Sequence, residues 1–287
     1  MERIRLIVVL WAFLLLCGCS YVDEADRLIE VEQASVSRAV LIEDFTGQRC
    51  INCPEAAEEI ARMQQQYGEE NVIAVSIHSG PLAVYPGGQV VGLRTELGDT
   101  YYNYWKVEAE PSGLINRRSG VVLLNQWQAL VYQELQRPAL VSLDVTCELT
   151  SSDIVDITVS GQVAEHVKGK LQVWLTEDQI VAPQMMPDGT MKTDYLHRHV
   201  LRTSVNGTWG DNVDWNAGER GVYKYSLQLD SEWNTDHLSI VAFVYNDEGV
   251  MQVKGEKVKI EKVNSDEEKC DDFDGLGGNI ALPSPGV

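Results

Sequence analysis

The sequence has few basic residues for its length. It contains 23 Lys and Arg against 43 Asp and Glu in 287 residues, so its formal net charge is −20. Proteins that bind DNA or RNA through the phosphate backbone need a basic surface, and this chain lacks the charge for one. We therefore expect no nucleic-acid partner. The length is enough for two ordinary domains, and hydrophobic residues make up 44% of the sequence, which is enough for a substantial core.

The N-terminus lacks an apolar run long enough for a comfortable transmembrane helix. Its run spans only Leu6–Leu16, whereas a helix that crosses a membrane needs about 20 apolar residues. The run follows Arg3 and Arg5, and a short basic start before such a run is typical of an export signal. We therefore expect residues 1–18 to be a signal peptide that is not part of the fold.

The signal ends in LCGC, which resembles a bacterial lipobox. In a lipobox, cleavage after Gly18 leaves Cys19 as the first residue, which carries the acyl chains. More than one acyl chain gives stable membrane anchoring. Ser20 follows where an Asp would favour retention at the inner membrane. The pattern predicts an outer-membrane lipoprotein with a lipidated linker over residues 19–38, and it leaves the membrane face undecided.

The next hundred residues alternate between strand and helix patterns. Ala39–Phe45 and Asn71–Ser79 are buried-strand patterns, and the helical spacing between them predicts a helix from about Ile51 to Tyr67. A strand, a helix and a strand joined by short loops favour a right-handed parallel unit. This pattern predicts an α/β domain over residues 39–138, interrupted by an insertion at residues 80–107.

After Pro138 the pattern changes to strands alone. About seven strand-like runs follow one another, separated by turn residues and without a strong helix between them. This spacing is typical of an antiparallel, all-β sandwich of immunoglobulin-like type, which we expect over residues 139–263. Residues 264–287 are acidic and then rich in Gly and Pro, which indicates a tail.

The sequence lacks the second cysteine pair that a four-sulfur zinc site needs. Cys50 and Cys53 are close together, but Cys147 and Cys270 are isolated. The histidines match no zinc spacing relative to the pair, so we expect no metal and no cofactor, and we expect His197 and His199 to be polar surface or capping residues. An exported chain meets an oxidising compartment. Whether Cys147 and Cys270 pair with each other stays open.

Cys50 and Cys53 form a CxxC motif at the start of the predicted helix. Unpaired backbone N–H groups and the helix dipole favour a thiolate there, and Arg49 adds a positive charge beside Cys50. Cys53 follows one turn later, within disulfide reach and in a more shielded position. A working redox pair and an inert disulfide both stay open. The second is a poor explanation for the motif, since so short a loop contributes little through chain entropy.

Residues Ala39 to about Pro138 resemble a thioredoxin-like domain. The resemblance rests on Asp44, six positions before Cys50, on the CxxC motif, and on VEAEPSGLINRRSG, which places Pro111 at the cis-proline position. The family's aromatic residue before the first cysteine is replaced by Arg49.

The resemblance implies a role for each of these residues. Cys50 attacks, Cys53 resolves the mixed disulfide, and Asp44 moves the proton of Cys53. Glu110 and Pro111 border the substrate groove together with Arg49, and the substrates are protein thiols or disulfides.

The chain as a whole resembles a narrower protein family. The lipobox, EDFTGQRCINCPEA, INRRSG and YLHRHVLR together resemble the twenty-eight-kilodalton outer membrane protein family of bacterial lipoproteins. This resemblance implies an outer-membrane lipoprotein with a thioredoxin-like domain and a β-sandwich, and leaves its activity open. We therefore carry two functions. One is a thiol–disulfide oxidoreductase acting on exported proteins; the other is a non-catalytic surface module, an adhesin or complex subunit, in which the CxxC disulfide is structural.

Overall fold

The computed structural model of the protein describes residues 38–150 and 153–260. The predicted signal peptide, the lipidation site at Cys19, nearly all of the linker at residues 19–38, and the tail at residues 264–287 with Cys270 lie outside the described residues. Within the described ranges, no helix combines the length and the apolar character needed to cross a membrane.

The described residues form three α-helices and fifteen β-strands. The helices are α1 (Cys53–Tyr67), α2 (Glu96–Trp105) and α3 (Trp127–Leu135). The strands that precede residue 138 are β1 (Val40–Thr46), β2 (Val72–His78), β3 (Ser112–Ile115) and β4 (Val122–Leu123). The strands that follow it are β5 (Val141–Leu149), β6 (Ile154–Val163), β7 (Val167–Glu177), β8 (Ile180–Met185), β9 (Met191–His197), β10 (Val200–Ser204), β11 (Asp211–Trp215), β12 (Arg220–Gln228), β13 (Leu238–Asn246), β14 (Gly249–Lys257) and β15 (Lys259–Ile260).

The largest sheet has nine strands and draws on both halves of the sequence. Its order is β14-β13-β7-β10-β2-β1-β3-β4, and β11 also pairs with β7. The central strand β1 runs parallel to β2 and antiparallel to β3. The two halves meet where β10 pairs with β2, with Val200 opposite Ser76. A four-stranded sheet, β12-β6-β5-β15, and the separate β8-β9 hairpin complete the described strands.

The predicted α/β thioredoxin-like domain followed by a separate all-β immunoglobulin-like sandwich is wrong. Strands outnumber helices, and strands from residues 39–138 and from residues 139–263 share one mixed sheet. Strand β2 would otherwise end the first half with an open edge of unpaired backbone groups, and β10 covers that edge. The boundary at residue 138 and the limits of the insertion at residues 80–107 stay predictions.

Two sheets nevertheless pack face to face, as a sandwich requires. Inward side chains of β5 and β6 share one apolar cluster with those of β7 and β13, which belong to the nine-stranded sheet. Among them are Leu143, Ile157, Leu171 and Ile240. Buried residues alternate with more exposed ones along β5, as expected of a strand with one face toward the core.

Helix α1 packs one face on the centre of the nine-stranded sheet. Ala56, Ile60 and Met63 are buried at positions i, i+4 and i+7, against the fully buried strand β1. Gly68 ends the helix with a φ of 94°, a conformation that glycine adopts without strain, and its N–H donates to the Gln64 carbonyl. These contacts fix the start of α1 beside the end of β1.

A buried ion pair of the first half is enclosed by aromatic rings that come mainly from the second half. Arg117, in the connection between β3 and β4, donates from Nε and Nη2 to the two carboxylate oxygens of Glu43 on β1 at 2.6 and 2.9 Å. Both side chains are almost fully buried. Four aromatic rings surround the guanidinium, with centroids 4.6 to 5.8 Å from Cζ: Trp105, Trp174, Phe243 and Tyr245. Three of these rings belong to β7 and β13, so the pair holds β1 against strands that come much later in the chain.

We expect Arg117→Met to lower the free energy of unfolding by roughly 3–5 kcal/mol, because it leaves the Glu43 carboxylate buried without its partner. Denaturant unfolding followed by circular dichroism measures this. The double variant Glu43→Gln/Arg117→Met removes both charges and should recover part of the loss. Arg62→Met, which removes the exposed partner of Glu59 on α1, is the matched control and should unfold close to wild type. Equal effects at Arg62 and Arg117 would contradict the role of burial.

Candidate thiol–disulfide site

The CxxC motif lies at the junction between β1 and α1 and is oxidised. Cys50 and Cys53 form a disulfide with Cα atoms 5.4 Å apart. Cys53 is the first residue of α1, whereas Cys50 lies in the preceding turn, where its N–H donates to the Gly47 carbonyl. The helix therefore begins two residues later than the predicted Ile51. Both cysteines are buried, at 2% and 3% exposure, so the predicted difference in shielding between them is absent.

Gln48 anchors the loop that carries the disulfide. It is buried, and its Nε2 donates to the carbonyls of Val91 at 2.8 Å and Pro183 at 3.1 Å. Its Oε1 accepts from the N–H of Leu93 at 3.0 Å. One side-chain amide thus connects the disulfide loop to the segment before α2 and to β8.

The β8-β9 hairpin covers the same loop. Gln184 on β8 is buried and donates from Nε2 to the Cys50 carbonyl at 2.9 Å. The N–H of Met185 donates to the Gln48 carbonyl at 2.8 Å. The predicted groove residue Arg49 stays exposed beside this contact, and its backbone N–H donates to the Leu82 carbonyl. The hairpin therefore shields Cys50 but leaves the Arg49 side chain open to solvent.

Asp44 lies on β1 with its carboxyl group buried. The residue is 2% exposed, and Oδ1 has no hydrogen-bond partner among the described residues. Burial raises the pKa of Asp44 to about 8, and the nearby carboxylate of Glu110 adds to the increase. Most Asp44 side chains are therefore protonated at neutral pH and can donate a proton, and the ionised minority can accept one.

Glu110 brings a second carboxyl group to the disulfide. The Glu110–Pro111 peptide bond is cis, and a carboxylate oxygen of Glu110 lies within 4.8 Å of both sulfur atoms. Both of its oxygens are buried without a partner among the described residues, and burial raises its pKa to about 7. Cysteine binds metal ions as the thiolate, and neither sulfur is a thiolate while the disulfide is closed.

A cleft of about 320 Å³ opens between α1 and β9 and reaches the disulfide. We name it the Cys53 cleft, and its lining residues include Asp44, Cys53, Ala57, Glu58, Ile60, Ala61, His78, Gln184, Lys192, Tyr195, His197 and Arg198. Cys50, Glu110 and Pro111 do not line it. The structure thus brings Asp44 and Cys53 together in the cleft and places Glu110 beside the sulfurs outside it.

Two buried histidines form one wall of the Cys53 cleft. His78 and His197 pack edge to face with ring centroids 5.1 Å apart, and His78 Nδ1 and His197 Nε2 have no partner among the described residues. Burial lowers the pKa of His197 to about 4 and also holds that of His78 well below its usual value, so both rings are neutral at physiological pH. The expectation that His197 is a surface residue is wrong. His199 lies beyond the end of β9, and its ring contacts Asp178.

Sequence reasoning did not place Gln48, Gln184 or His78 at the site. The two glutamines come from segments 136 residues apart and carry no local pattern. His78 could have been suspected, because it ends β2 beside the end of β1, where two polar side chains at the same sheet edge come together.

We expect Asp44→Asn to raise the free energy of unfolding, and the gain to grow with pH. An unfolded aspartate ionises near pH 3.9, whereas folded Asp44 keeps its proton up to about 8. The wild type therefore loses stability as the pH rises from about 4 to about 8, and the variant does not. The full shift corresponds to roughly 5 kcal/mol as an upper value. Denaturant unfolding of the oxidised protein at pH 5 and pH 8 measures it, with exposed Asp194→Asn as the control. A pH-independent difference between wild type and Asp44→Asn would contradict the buried, protonated carboxyl.

Comparison with known proteins places the chain in a family. The model of the family described as outer membrane protein Omp28 matches residues 98–262, more than half of the chain. None of the curated proteins compared with the sequence matches it.

Two solved structures from Porphyromonas gingivalis resemble this one. HBP35 is 17% identical with a TM-score of 0.61, over 86% of this chain and 81% of that chain, which is a likeness of fold. A domain of the outer membrane lipoprotein Omp28 is 26% identical with a TM-score of 0.33, over 43% of this chain and 92% of that chain. The family match confirms the resemblance found in the sequence: the chain belongs to the Omp28 family of outer membrane proteins.

Proposed function

We propose that the protein is a lipoprotein, anchored in the outer membrane through Cys19, that exchanges disulfides with exported proteins at Cys50 and Cys53. One observation carries this proposal: the buried Asp44 carboxyl lines the same cleft as Cys53 and has an oxygen without a partner among the described residues. Burying a polar group without a hydrogen bond costs stability. A passive disulfide needs no such group, whereas the resolving step of an exchange reaction needs a proton acceptor.

The first step uses the reduced pair. The Cys50 thiolate attacks one sulfur of a substrate disulfide, a bond forms between the two sulfurs, and the substrate bond breaks. The departing substrate sulfur leaves as a thiolate. Arg49, which is exposed beside Cys50, offers a positive charge to the attacking and departing thiolates.

The second step closes the protein disulfide. The ionised form of Asp44, which is the minority form at neutral pH, accepts the proton of the Cys53 thiol, directly or through one water, and the Cys53 sulfur attacks the Cys50 sulfur. The Cys50–Cys53 bond forms and the second substrate sulfur leaves as a thiolate. Two electrons pass from the protein to the substrate, and the reverse sequence oxidises a substrate dithiol.

Access to Cys50 requires the β8-β9 hairpin to move. Both cysteines are buried, and Gln184 holds the hairpin on the Cys50 carbonyl. We propose that a protein substrate displaces the hairpin and lies against Arg49, Glu110 and Pro111. Glu110 borders the pair outside the Cys53 cleft, and its backbone is the group that would pair with an extended substrate.

We expect Cys53→Ser to accumulate mixed disulfides with exported proteins, because Cys50 attacks but nothing resolves the intermediate. Cys50→Ser should accumulate far fewer. In the otherwise wild-type protein, Asp44→Asn should slow closure of the disulfide about 100-fold and leave the first attack unchanged. Non-reducing gels and mass spectrometry of the membrane fraction measure the trapped species, and stopped-flow fluorescence measures closure.

Cys147→Ser is the matched background for these variants. Cys147 is buried and burial raises its pKa to about 12, so it should contribute no mixed disulfides. If neither CxxC variant captured a protein in this background, the exchange function would be wrong and the disulfide would be structural, as in a non-catalytic surface module.

We expect Gln184→Ala to speed reduction of the disulfide by a reduced protein dithiol such as thioredoxin several-fold. A protein reaches Cys50 only past the hairpin, and the variant removes the hydrogen bond that holds the hairpin on the Cys50 carbonyl. Val181→Ala, an exposed position on the same strand, is the control and should react like wild type. Trapping with iodoacetamide followed by mass spectrometry gives the rates. Equal rates for Gln184→Ala and wild type would show that the hairpin does not limit access.

A further inference from the structure

The Cys53 cleft reaches the disulfide from one side only. Cys53 lines it, whereas Cys50 does not and is covered by Gln184. A molecule inside the cleft therefore contacts Cys53 without displacing the β8-β9 hairpin. This is the opposite sulfur from the one that attacks a protein substrate.

The mouth of the cleft carries charges of both signs. Lys192 and Arg198 are exposed on one side, and Glu58 is exposed on α1 on the other. Tyr195 also lines the cleft, and Lys192 Nζ is 5.8 Å from its ring centroid. A small molecule with a carboxylate and an ammonium group matches this arrangement.

The interior of the cleft is polar but uncharged on one wall and apolar on the other. His78 Nδ1 and His197 Nε2 are unpaired in the described part of the chain, and Asp44 adds an unpaired oxygen. Ala57 and Ala61 of α1 give the opposite wall little bulk. The volume of about 320 Å³ lies at the small end of the ~300–1,000 Å³ typical of ligand pockets.

We infer that the Cys53 cleft binds a low-molecular-weight aminothiol that carries a carboxylate, of which cysteine is the simplest, and that this thiol exchanges with the disulfide at Cys53. The inference rests on the proposed exchange function, since it names the small-molecule partner of the same cysteine pair. Arg198 binds its carboxylate, Glu58 binds its ammonium group, and its sulfur points toward Cys53.

The reaction balances without another reagent. The small thiolate attacks Cys53, a bond forms between their sulfurs, and the Cys50–Cys53 bond breaks with its electron pair leaving on Cys50 as a thiolate. A second small thiolate attacks the sulfur of the bound molecule. The small disulfide leaves, and Cys53 takes a proton from the Asp44 carboxyl. Two small thiols are oxidised and the protein disulfide is reduced.

The test compares thiols on the full mature protein. At equal thiolate concentration, cysteine should reduce the disulfide several-fold faster than neutral 2-mercaptoethanol. Arg198→Gln should slow cysteine and mercaptoacetate about threefold, the effect expected of one partly solvated charge, and leave 2-mercaptoethanol unchanged. Equal slowing of all three thiols would overturn the assignment of Arg198 to the carboxylate.

A bulky side chain in the cleft gives the second arm. Ala61→Trp should slow reduction by cysteine about tenfold, because it fills the space that leads to Cys53. Gln66→Trp, exposed on another face of α1 and not lining the cleft, is the matched control and should react like wild type. Circular dichroism confirms the fold of both variants. An Ala61→Trp protein that cysteine reduces at the wild-type rate would overturn the inference.

A third arm locates the exchanged sulfur and separates the two proposals. Cys50→Ser treated with cystine should carry a cysteine adduct on Cys53, identified by peptide mass spectrometry, and Ala61→Trp should suppress it. An adduct unaffected by Ala61→Trp would overturn entry through the cleft. If these results hold while Cys53→Ser captures no protein, exchange with protein substrates fails and the cleft stands. If Cys53→Ser captures proteins while Ala61→Trp changes neither the rate of reduction by cysteine nor the adduct on Cys53, the cleft inference alone fails.

Discussion

The ion pair between Glu43 and Arg117 is the contact on which the rest of the structure depends. Glu43 belongs to the central strand β1, and the carboxylate has no route to water, so it can stay charged there only with the guanidinium beside it. Arg117 in turn is enclosed by rings from β7 and β13. The pair therefore fixes β1 relative to strands from the second half of the chain. The disulfide loop begins where β1 ends, so the position of the site follows from this pair.

Local elements could be predicted from the sequence, and the way they assemble could not. The apolar run of β1 and the spacing of Ala56, Ile60 and Met63 in α1 are local signals. The pairing of β10 with β2 joins Val200 to Ser76, and no pattern near either residue encodes a partner so far away. The change of pattern at Pro138 therefore indicated two separate domains, although strands from both sides share one sheet. Backbone hydrogen bonds between β10 and β2 join the two halves into one sheet in spite of the change in sequence pattern.

The chemistry of the site was easier to predict than its surroundings. The cysteine spacing, Asp44 and Pro111 lie in short motifs whose residue types point to a disulfide. The covering hairpin rests on Gln184, a residue type that is usually exposed and gives no signal. His197 was expected to be a polar surface or capping residue because two histidines alone rarely hold a metal, yet it packs against His78. Burial of such residues is a property of the tertiary packing.

The side-chain amide of Gln48 forms hydrogen bonds with three backbone groups from two remote segments. Its backbone carbonyl accepts a fourth hydrogen bond, from the N–H of Met185. Both hydrogens of the side-chain amide are engaged, so neither can take a new partner without breaking one of these bonds. When the bond between the sulfurs opens and closes, a displacement of the turn must either strain these hydrogen bonds or move the neighbouring segments with it. A change in the oxidation state of the buried pair would therefore change the position of the outer surface around Val91 and of the hairpin.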